Sequence, residues 1–150
     1  MSAIFLMRHS RAVAADFQTT DEARWLSEPG REMARAAGQA LLANDTAIDC
    51  IVTSPLARAV QTAEIMAHCL GYRGPIRCLA SLQSEMPAQR AVEDLQSLAC
   101  HAVLAVSHEP IASAMGALLR GKGPDEFRAA FNTAEIRGFR GDSQIFRHLG

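Results

Sequence analysis

Arginine and histidine follow three short apolar segments of this sequence in a recurring pattern. Arg8 and His9 come directly after AIFLM, and His108 comes one residue after AVLAV. After CIVT come Ser54 and, one helical turn later, Arg58. A guanidinium fork matches phosphate oxygens bidentately, and the N–H groups at a helix start add a positive dipole. If the three segments meet, these residues predict a binding site for a phosphoryl group.

Chemistry at such a site would need a nucleophile, and the sequence offers histidine. It has no cysteine in a CxxxxxR-type phosphate loop and no GxxxxGK[ST] loop, and its carboxylates do not group with histidine in a two-metal pattern. A neutral imidazole near pH 7 can form a covalent intermediate, and nearby arginines would stabilise the charge that moves onto the phosphoryl oxygens. The residue types therefore favour phosphoryl transfer to a histidine.

The elements that would position these side chains are strands that alternate with helices. Residues 3–7, 50–53 and 102–106 are apolar throughout, which indicates strands covered on both faces. The tail from 134 to 149 predicts two short strands around a Gly-Asp turn. Helical spacing and capping residues predict four helices: Ser27 to about Asn44, Ser54 with Pro55 at its first position to Gly71, Pro87 to Leu98, and Pro110 to Gly121.

This alternation predicts an α/β fold, a three-layer α/β/α sandwich with a mostly parallel central sheet. The carboxyl ends of parallel strands lie along one edge of such a sheet, where ligands bind. We therefore expect Arg8, His9, Arg58 and His108 to converge there.

Composition narrows the class of protein. A chain of 150 residues with 49% hydrophobic and 21% charged residues predicts one soluble domain over residues 1–150. A formal net charge of -1 without a basic block argues against a nucleic-acid partner. The apolar run at residues 3–7 is too short for a signal-peptide core or a membrane helix, so we expect no membrane partner and a cytoplasmic location. The four scattered cysteines lack CxxC pairing and are expected to be buried free thiols.

The motifs in combination resemble those of the histidine phosphatase superfamily, the phosphoglycerate-mutase-like enzymes. They are MRHSRA, WLSEPGREMARAAGQAL, SPLARAVQTAEIM and VSHEP. The resemblance covers nearly the whole chain, and its short length and VSHEP form are similar to the small bacterial protein-phosphohistidine phosphatases. It implies a phosphoglycerate-mutase-like fold and a metal-independent phosphoric monoester hydrolase.

Carried over to the matching positions, the resemblance implies a role for each member of the predicted set. His9 would be the nucleophile that becomes phosphorylated. Arg8, Arg58 and His108 would hold the phosphoryl oxygens through an in-line transition state. Water would then discharge phospho-His9, so neither a metal nor an organic cofactor is implied.

The sequence leaves the roles of several other residues undecided. The family usually has glycine where this chain has Ser10, whose side chain would either narrow the pocket or add a hydroxyl to the phosphate site. The general acid of many members has two candidates here, Glu85 in LQSEMPAQ and Glu109 in SHEP. Ser54 and Gln61 also match the motifs, but a helix cap and a solvent-facing position account for them as well.

The leading hypothesis is a phosphatase that acts on protein phosphohistidine through phospho-His9, because a short chain with few residues to spare for a lid would leave the pocket open to a protein-borne group. A small-molecule phosphomonoesterase is the alternative within the enzyme class. A mutase is disfavoured, since retaining and returning a phosphoryl group should need a more enclosed site. Ser10 and the undecided acid also leave open a phosphate-binding or interaction module without turnover.

Overall fold

The computed structural model describes residues 2–16 and 19–150 of the chain. Within those residues six strands form one sheet in the order β3-β2-β4-β1-β5-β6. The strands are β1 (Ala3–Arg8), β2 (Cys50–Thr53), β3 (Ile76–Cys78), β4 (Ala102–Ser107), β5 (Ile136–Arg140) and β6 (Ser143–His148). Neighbours among β3, β2, β4 and β1 pair in parallel, whereas β5 pairs antiparallel with both β1 and β6. The sheet is therefore mostly parallel, as predicted.

Helices cover both faces of this sheet. They are α1 (Glu28–Ala43), α2 (Ala57–Leu70), α3 (Ala88–Gln96) and α4 (Ile111–Leu119), with a 3-10 turn at Ala80–Leu82. The side chains of α1 and α2 belong to one buried apolar cluster, and those of α3 and α4 belong to another. The predicted three-layer α/β/α sandwich is confirmed.

Successive residues of β1 explain why the strand is apolar throughout. Phe5 and Met7 lie in the cluster with α1 and α2, whereas Ile4 and Leu6 lie in the cluster with α3 and α4. Successive strand residues point to opposite faces, so a strand between two helical layers needs apolar residues at every position. The central strands β2 and β4 follow the same rule, with every residue buried.

Local details differ from the predictions at two elements. The predicted N-cap Ser54 does not begin α2, which starts at Ala57 after Leu56. The Oγ of Ser54 lies 2.7 Å from the Nε2 of His108 instead, so a tertiary contact takes the place of the cap. Strand β3 was not predicted, because Ile76 is followed by an arginine and a cysteine that are both exposed at the sheet edge.

The prediction that the four cysteines are buried is partly wrong. All four thiols are free, but only Cys50 is buried. Cys78 is exposed, and Cys69 and Cys100 are half-buried. In the part of the chain that the structure describes, no helix is long and apolar enough to cross a membrane.

The sheet register aligns the strand ends that carry the candidate residues. Arg8 pairs with Ser107 at the last position of the β1 and β4 ladder. Just beyond it, the His9 N–H donates to the Ser107 carbonyl over 2.9 Å, and the Ser54 N–H donates to the Val106 carbonyl over 2.9 Å. Main-chain hydrogen bonds thus hold three strand ends side by side at one edge of the sheet.

Candidate active site

A cleft of about 280 Å³ opens at the carboxyl edge of the parallel strands. The four residues predicted to converge, Arg8, His9, Arg58 and His108, all line it. They come from the end of β1, the first turn of α2 and the end of β4. The cleft therefore collects cations and imidazoles from positions up to 100 residues apart in sequence.

His9 is held as a neutral imidazole with a defined tautomer. Burial, opposed by a hydrogen bond to Ser10 and assisted by the charges of Arg58 and Arg8, lowers the pKa of His9 to about 3. Its Nδ1 lies 2.7 Å from the carbonyl oxygen of Ser10, which can only accept a hydrogen bond. Nδ1 therefore carries the proton, and Nε2 carries the free lone pair.

His108 lies beside His9, with 5.1 Å between the ring centroids. Burial, with a smaller effect of the Arg58 charge, lowers the pKa of His108 to about 4. The Oγ of Ser54 lies 2.7 Å from its Nε2 and fixes the orientation of the ring. Ser54 thus acts on the site through His108, which is a role that sequence reasoning did not separate from helix capping.

Arg58 is the second residue of α2, where a cation opposes the helix dipole. One guanidinium nitrogen donates to the Asp21 carbonyl over 2.8 Å, and the other lies 3.3 Å from the Asp21 carboxylate. That carboxylate is largely exposed, so solvent screens the pair and it offsets little of the charge. The start of α2 therefore offers both a cation and free helical N–H groups to an anion.

Arg8 is anchored from the opposite wall. Its Nη1 donates to the Phe131 carbonyl over 2.9 Å. Among the described residues, the buried Nε atoms of Arg8 and Arg58 have no hydrogen-bond partner. Buried donors are nearly always satisfied, so these two are exceptions, and both belong to arginines that line the cleft.

Glu135 supports the segment that anchors Arg8. Its fully buried carboxylate accepts hydrogen bonds from Arg137 Nε (2.6 Å), Arg147 Nε (3.1 Å) and the Asn132 N–H (2.9 Å). Burial alone would raise the pKa of Glu135, but these hydrogen bonds lower it overall. The Glu135 carbonyl also accepts from the Arg8 N–H over 3.1 Å, which ties β1 to this support.

The hydroxyl of Ser10 is directed away from the cleft. It donates to the Gly30 carbonyl at the start of α1 over 2.6 Å, and the Ser10 N–H donates to Thr62 Oγ1 over 3.0 Å. The residue is fully buried and does not line the cleft. We therefore leave Ser10 out of the phosphate-binding set, because its hydroxyl joins the loop after β1 to α1 instead.

Neither candidate acid is placed as a poised proton donor. Glu85 is exposed, its carboxylate lies 3.4 Å from Ser84 Oγ, and it does not line the cleft. Glu109 does line the cleft, but its carboxylate accepts from the N–H and the Oγ of Ser113, at 3.0 and 2.6 Å. These two hydrogen bonds tie the carboxylate of Glu109 to the first turn of α4.

Sequence reasoning did not single out two further arginines of the cleft, Arg11 and Arg24. Arg24 is fixed by a hydrogen bond from its Nε to the Val13 carbonyl over 2.7 Å. Gln61, whose role the sequence left open, accepts from the Leu26 N–H over 2.8 Å and so anchors the same loop on α2. For Arg11 the sequence offered one signal, which was its place in the MRHSRA motif. For Arg24 it offered none, because Arg24 follows no predicted strand.

No group of three or more histidine, cysteine or acidic side chains within residues 2–16 and 19–150 has the geometry to hold a metal ion. The ligand chemistry of the cleft instead comes from guanidinium and imidazole groups, which suit an oxyanion.

Solved structures share this fold. The protein histidine phosphatase SixA complexed with tungstate matches with a TM-score of 0.85 and 24% identity, over 98% of this chain and 96% of that chain. SixA from Agrobacterium tumefaciens matches with a TM-score of 0.82 and 19% identity, over 97% of both chains. A mycobacterial glucosyl-3-phosphoglycerate phosphatase matches with a TM-score of 0.69 and 16% identity, over 91% of this chain and 89% of that chain. At these identities the likeness establishes the fold.

Sequence comparison supplies the family. A search of curated protein sequences found no match. The family model for the histidine phosphatase superfamily, branch 1, matches residues 4–86, which is more than half of the chain and includes Arg8, His9 and Arg58. The protein therefore belongs to the histidine phosphatase superfamily, branch 1.

Proposed function

We propose that this protein is a phosphatase that works through a covalent phosphohistidine on His9. The observation that carries the proposal is the state of His9, which is a neutral imidazole with its proton on Nδ1 in a cleft lined by arginines. An imidazole in that state can attack phosphorus without first losing a proton.

The two half-reactions follow from the residues around the cleft. His9 Nε2 attacks phosphorus while the bond to the leaving group breaks on the opposite side, and the leaving group takes a proton from solvent. The guanidinium groups of Arg8 and Arg58 hold the phosphoryl oxygens, and His108 lines the cleft from the end of β4. Water then attacks phosphorus, the N–P bond breaks, and inorganic phosphate leaves with the imidazole neutral again.

As substrate we propose protein phosphohistidine. Glu109 is engaged by Ser113 and Glu85 lies outside the cleft, so neither supplies a poised general acid. A phosphohistidine leaves as an imidazole and needs less proton donation than an alkoxide does. The fold likeness to SixA, described as a protein histidine phosphatase, supports the same choice.

A small-molecule phosphoester is the second candidate. The cleft of about 280 Å³ could admit a sugar phosphate, and a glucosyl-3-phosphoglycerate phosphatase shares the fold. Comparing kcat/KM for a histidine-phosphorylated protein with kcat/KM for sugar phosphates and nucleotides separates the two. Higher efficiency on the small substrates would reject the phosphohistidine assignment.

Trapping of the intermediate tests the nucleophile. Rapid acid-free quench of wild type with 32P-labelled substrate should give protein-bound label that is labile in acid and stable in base. His9→Ala should carry no label. His68→Ala is the matched control, since His68 is exposed on α2 outside the cleft, and it should be labelled like wild type. Label that persists in His9→Ala would show that another residue is the nucleophile.

A further inference from the structure

A second cavity of about 280 Å³ lies behind the wall of the active site and has a strongly basic lining. Its cations come from the end of α4, the following loop and the final hairpin, and they are Arg120, Lys122, Arg128, Arg137 and Arg147. It shares no lining residue with the catalytic cleft. None of these cations has a role in the proposed phosphoryl transfer.

The charge of this cavity is only partly compensated. Arg137 and Arg147 share the buried carboxylate of Glu135. The remaining cations, Arg120, Lys122 and Arg128, have no carboxylate within 4.0 Å among the described residues.

Glu126, an acidic residue on the lining, leaves most of the positive charge of the cavity uncompensated. Glu126 accepts a hydrogen bond from the Gly123 N–H, which ties its carboxylate to its own loop. With Glu126 and Glu135 both counted against the five cations, an excess of three positive charges remains on a chain whose formal net charge is -1. The electrostatic asymmetry is local, and it favours an anionic partner.

The cavity also has an apolar component that a simple anion would not use. The ring of Phe127 is 39% exposed at the lining, and Phe139 forms part of the buried floor. Arginine beside an exposed aromatic ring is the composition enriched in protein–protein interfaces. A polypeptide with several carboxylates fits this surface better than a compact inorganic ion does.

The wall between the two cavities is short. Ala129 lines the basic cavity and Thr133 lines the catalytic cleft, so at most about 14 Å of chain separates them. Within that wall, the Phe131 carbonyl holds Arg8 in the active site. The two linings therefore come within about 14 Å of each other at these residues, which is the span of about four extended residues.

We propose that the basic cavity at the end of α4 binds an acidic segment of the phosphorylated protein whose phosphohistidine occupies the catalytic cleft. This inference rests on the proposed function and names the kind of partner that the same site receives. Carboxylates of the segment pair with Arg120, Lys122 and Arg128, and an apolar side chain contacts Phe127. The pairing raises the encounter rate and lowers KM without changing the chemical step.

Paired peptides and paired variants test the proposal. The acidic probe is a synthetic peptide with one phosphohistidine and four aspartates on each side, beginning four residues away, and the neutral probe has serines in place of the aspartates. Arg120→Glu/Arg128→Glu reverses two cations of the cavity. Arg73→Glu/Arg77→Glu makes the same change in net charge at exposed positions around β3, outside both cavities.

Wild type should hydrolyse the acidic peptide with a kcat/KM about tenfold above that for the neutral one, mainly through KM, as electrostatic steering allows. The advantage should fall to within about twofold in Arg120→Glu/Arg128→Glu and persist in Arg73→Glu/Arg77→Glu. The docking proposal would be wrong if Arg120→Glu/Arg128→Glu still preferred the acidic peptide, or if both double variants lost that preference equally. The proposed function would stand in either case. If wild type hydrolysed neither peptide, the proposed function would fail and this inference with it.

Discussion

Burial gives His9 its chemistry and also imposes a cost on the folded protein. The pKa of His9 lies at about 3 and that of His108 at about 4, both below the ordinary value of 6.5. Removal from water and the surrounding guanidinium charges both disfavour the imidazolium form. Burial thus keeps the imidazole of His9 neutral, but it does so by excluding a proton that the unfolded chain would accept below about pH 6.5.

That linkage predicts the pH dependence of stability. Between about pH 6.5 and pH 3 the unfolded chain binds more protons at these two positions than the folded chain, so the free energy of unfolding should fall as the pH falls. The loss from pH 7 to pH 4 should be on the order of a few kcal/mol. Urea unfolding across this range measures it, and His9→Asn should give a shallower slope. An unchanged slope in that variant would contradict the assignment to His9.

Ser10 offers a second prediction for a single residue. Because its hydroxyl donates to the Gly30 carbonyl and not to the cleft, Ser10→Ala should lower the free energy of unfolding by about 1 kcal/mol. Its kcat on a small phosphoester should stay within about threefold of wild type. Ser54→Ala, which removes the partner of His108, is the comparison and should lower kcat by about tenfold. A larger kcat loss in Ser10→Ala than in Ser54→Ala would return Ser10 to the active site.

Among the elements, α1 matters to the site through its first turn. Ser27 caps the helix by accepting from the Gly30 N–H, and the backbone of Gly30 packs directly on that of Arg11. A Cβ at position 30 would overlap the Arg11 carbonyl oxygen. The start of α1 and the loop after β1 are therefore packed together as one unit.

Gly30→Ala should therefore displace the Arg11 backbone and lower the free energy of unfolding by about 1–3 kcal/mol. The rate of His9 phosphorylation in single turnover should fall with it. Gly116→Ala in α4 is the matched control: its Cβ would sit 3.4 Å from the Phe139 ring, and alanine favours a helix. That variant should be neutral or more stable in thermal unfolding. Equal losses in the two variants would refute the close-packing argument.

The elements that were predicted correctly are determined by neighbouring residues in the sequence. The features that were missed depend on contacts with residues that are distant in the sequence. The strands β1, β2 and β4 are buried on both faces, which requires apolar side chains at consecutive positions and so produces a visible apolar run. The start of α2 was misassigned because the Ser54 hydroxyl bonds to His108, a partner 54 residues away. Arg24 was missed because an irregular loop, and not a strand end, brings it to the cleft. Tertiary contacts of this kind leave no local pattern.

At the scale of the whole molecule, the cleft joins segments that are distant in the chain. Its lining extends from Arg8 in β1 to Thr133 before β5, with Arg58 and His108 between them. An oxyanion that contacts these segments together binds the folded state and has no counterpart site in the unfolded chain. Ligand binding should therefore report on the assembly of the fold as well as on the site.

Tungstate at about 100 times its Kd should accordingly add about 2.7 kcal/mol to the free energy of unfolding. For a chain of this length the Tm should rise by about 5–10 °C, measured by scanning calorimetry. Arg58→Ala should lose most of the shift, because it removes the cation that lines the cleft at the start of α2. Sodium chloride at equal ionic strength controls for general screening. A shift of the same size in Arg58→Ala would show that the anion binds outside the cleft. The basic cavity on the other side of the segment that contains Phe131 would then be the expected binding site.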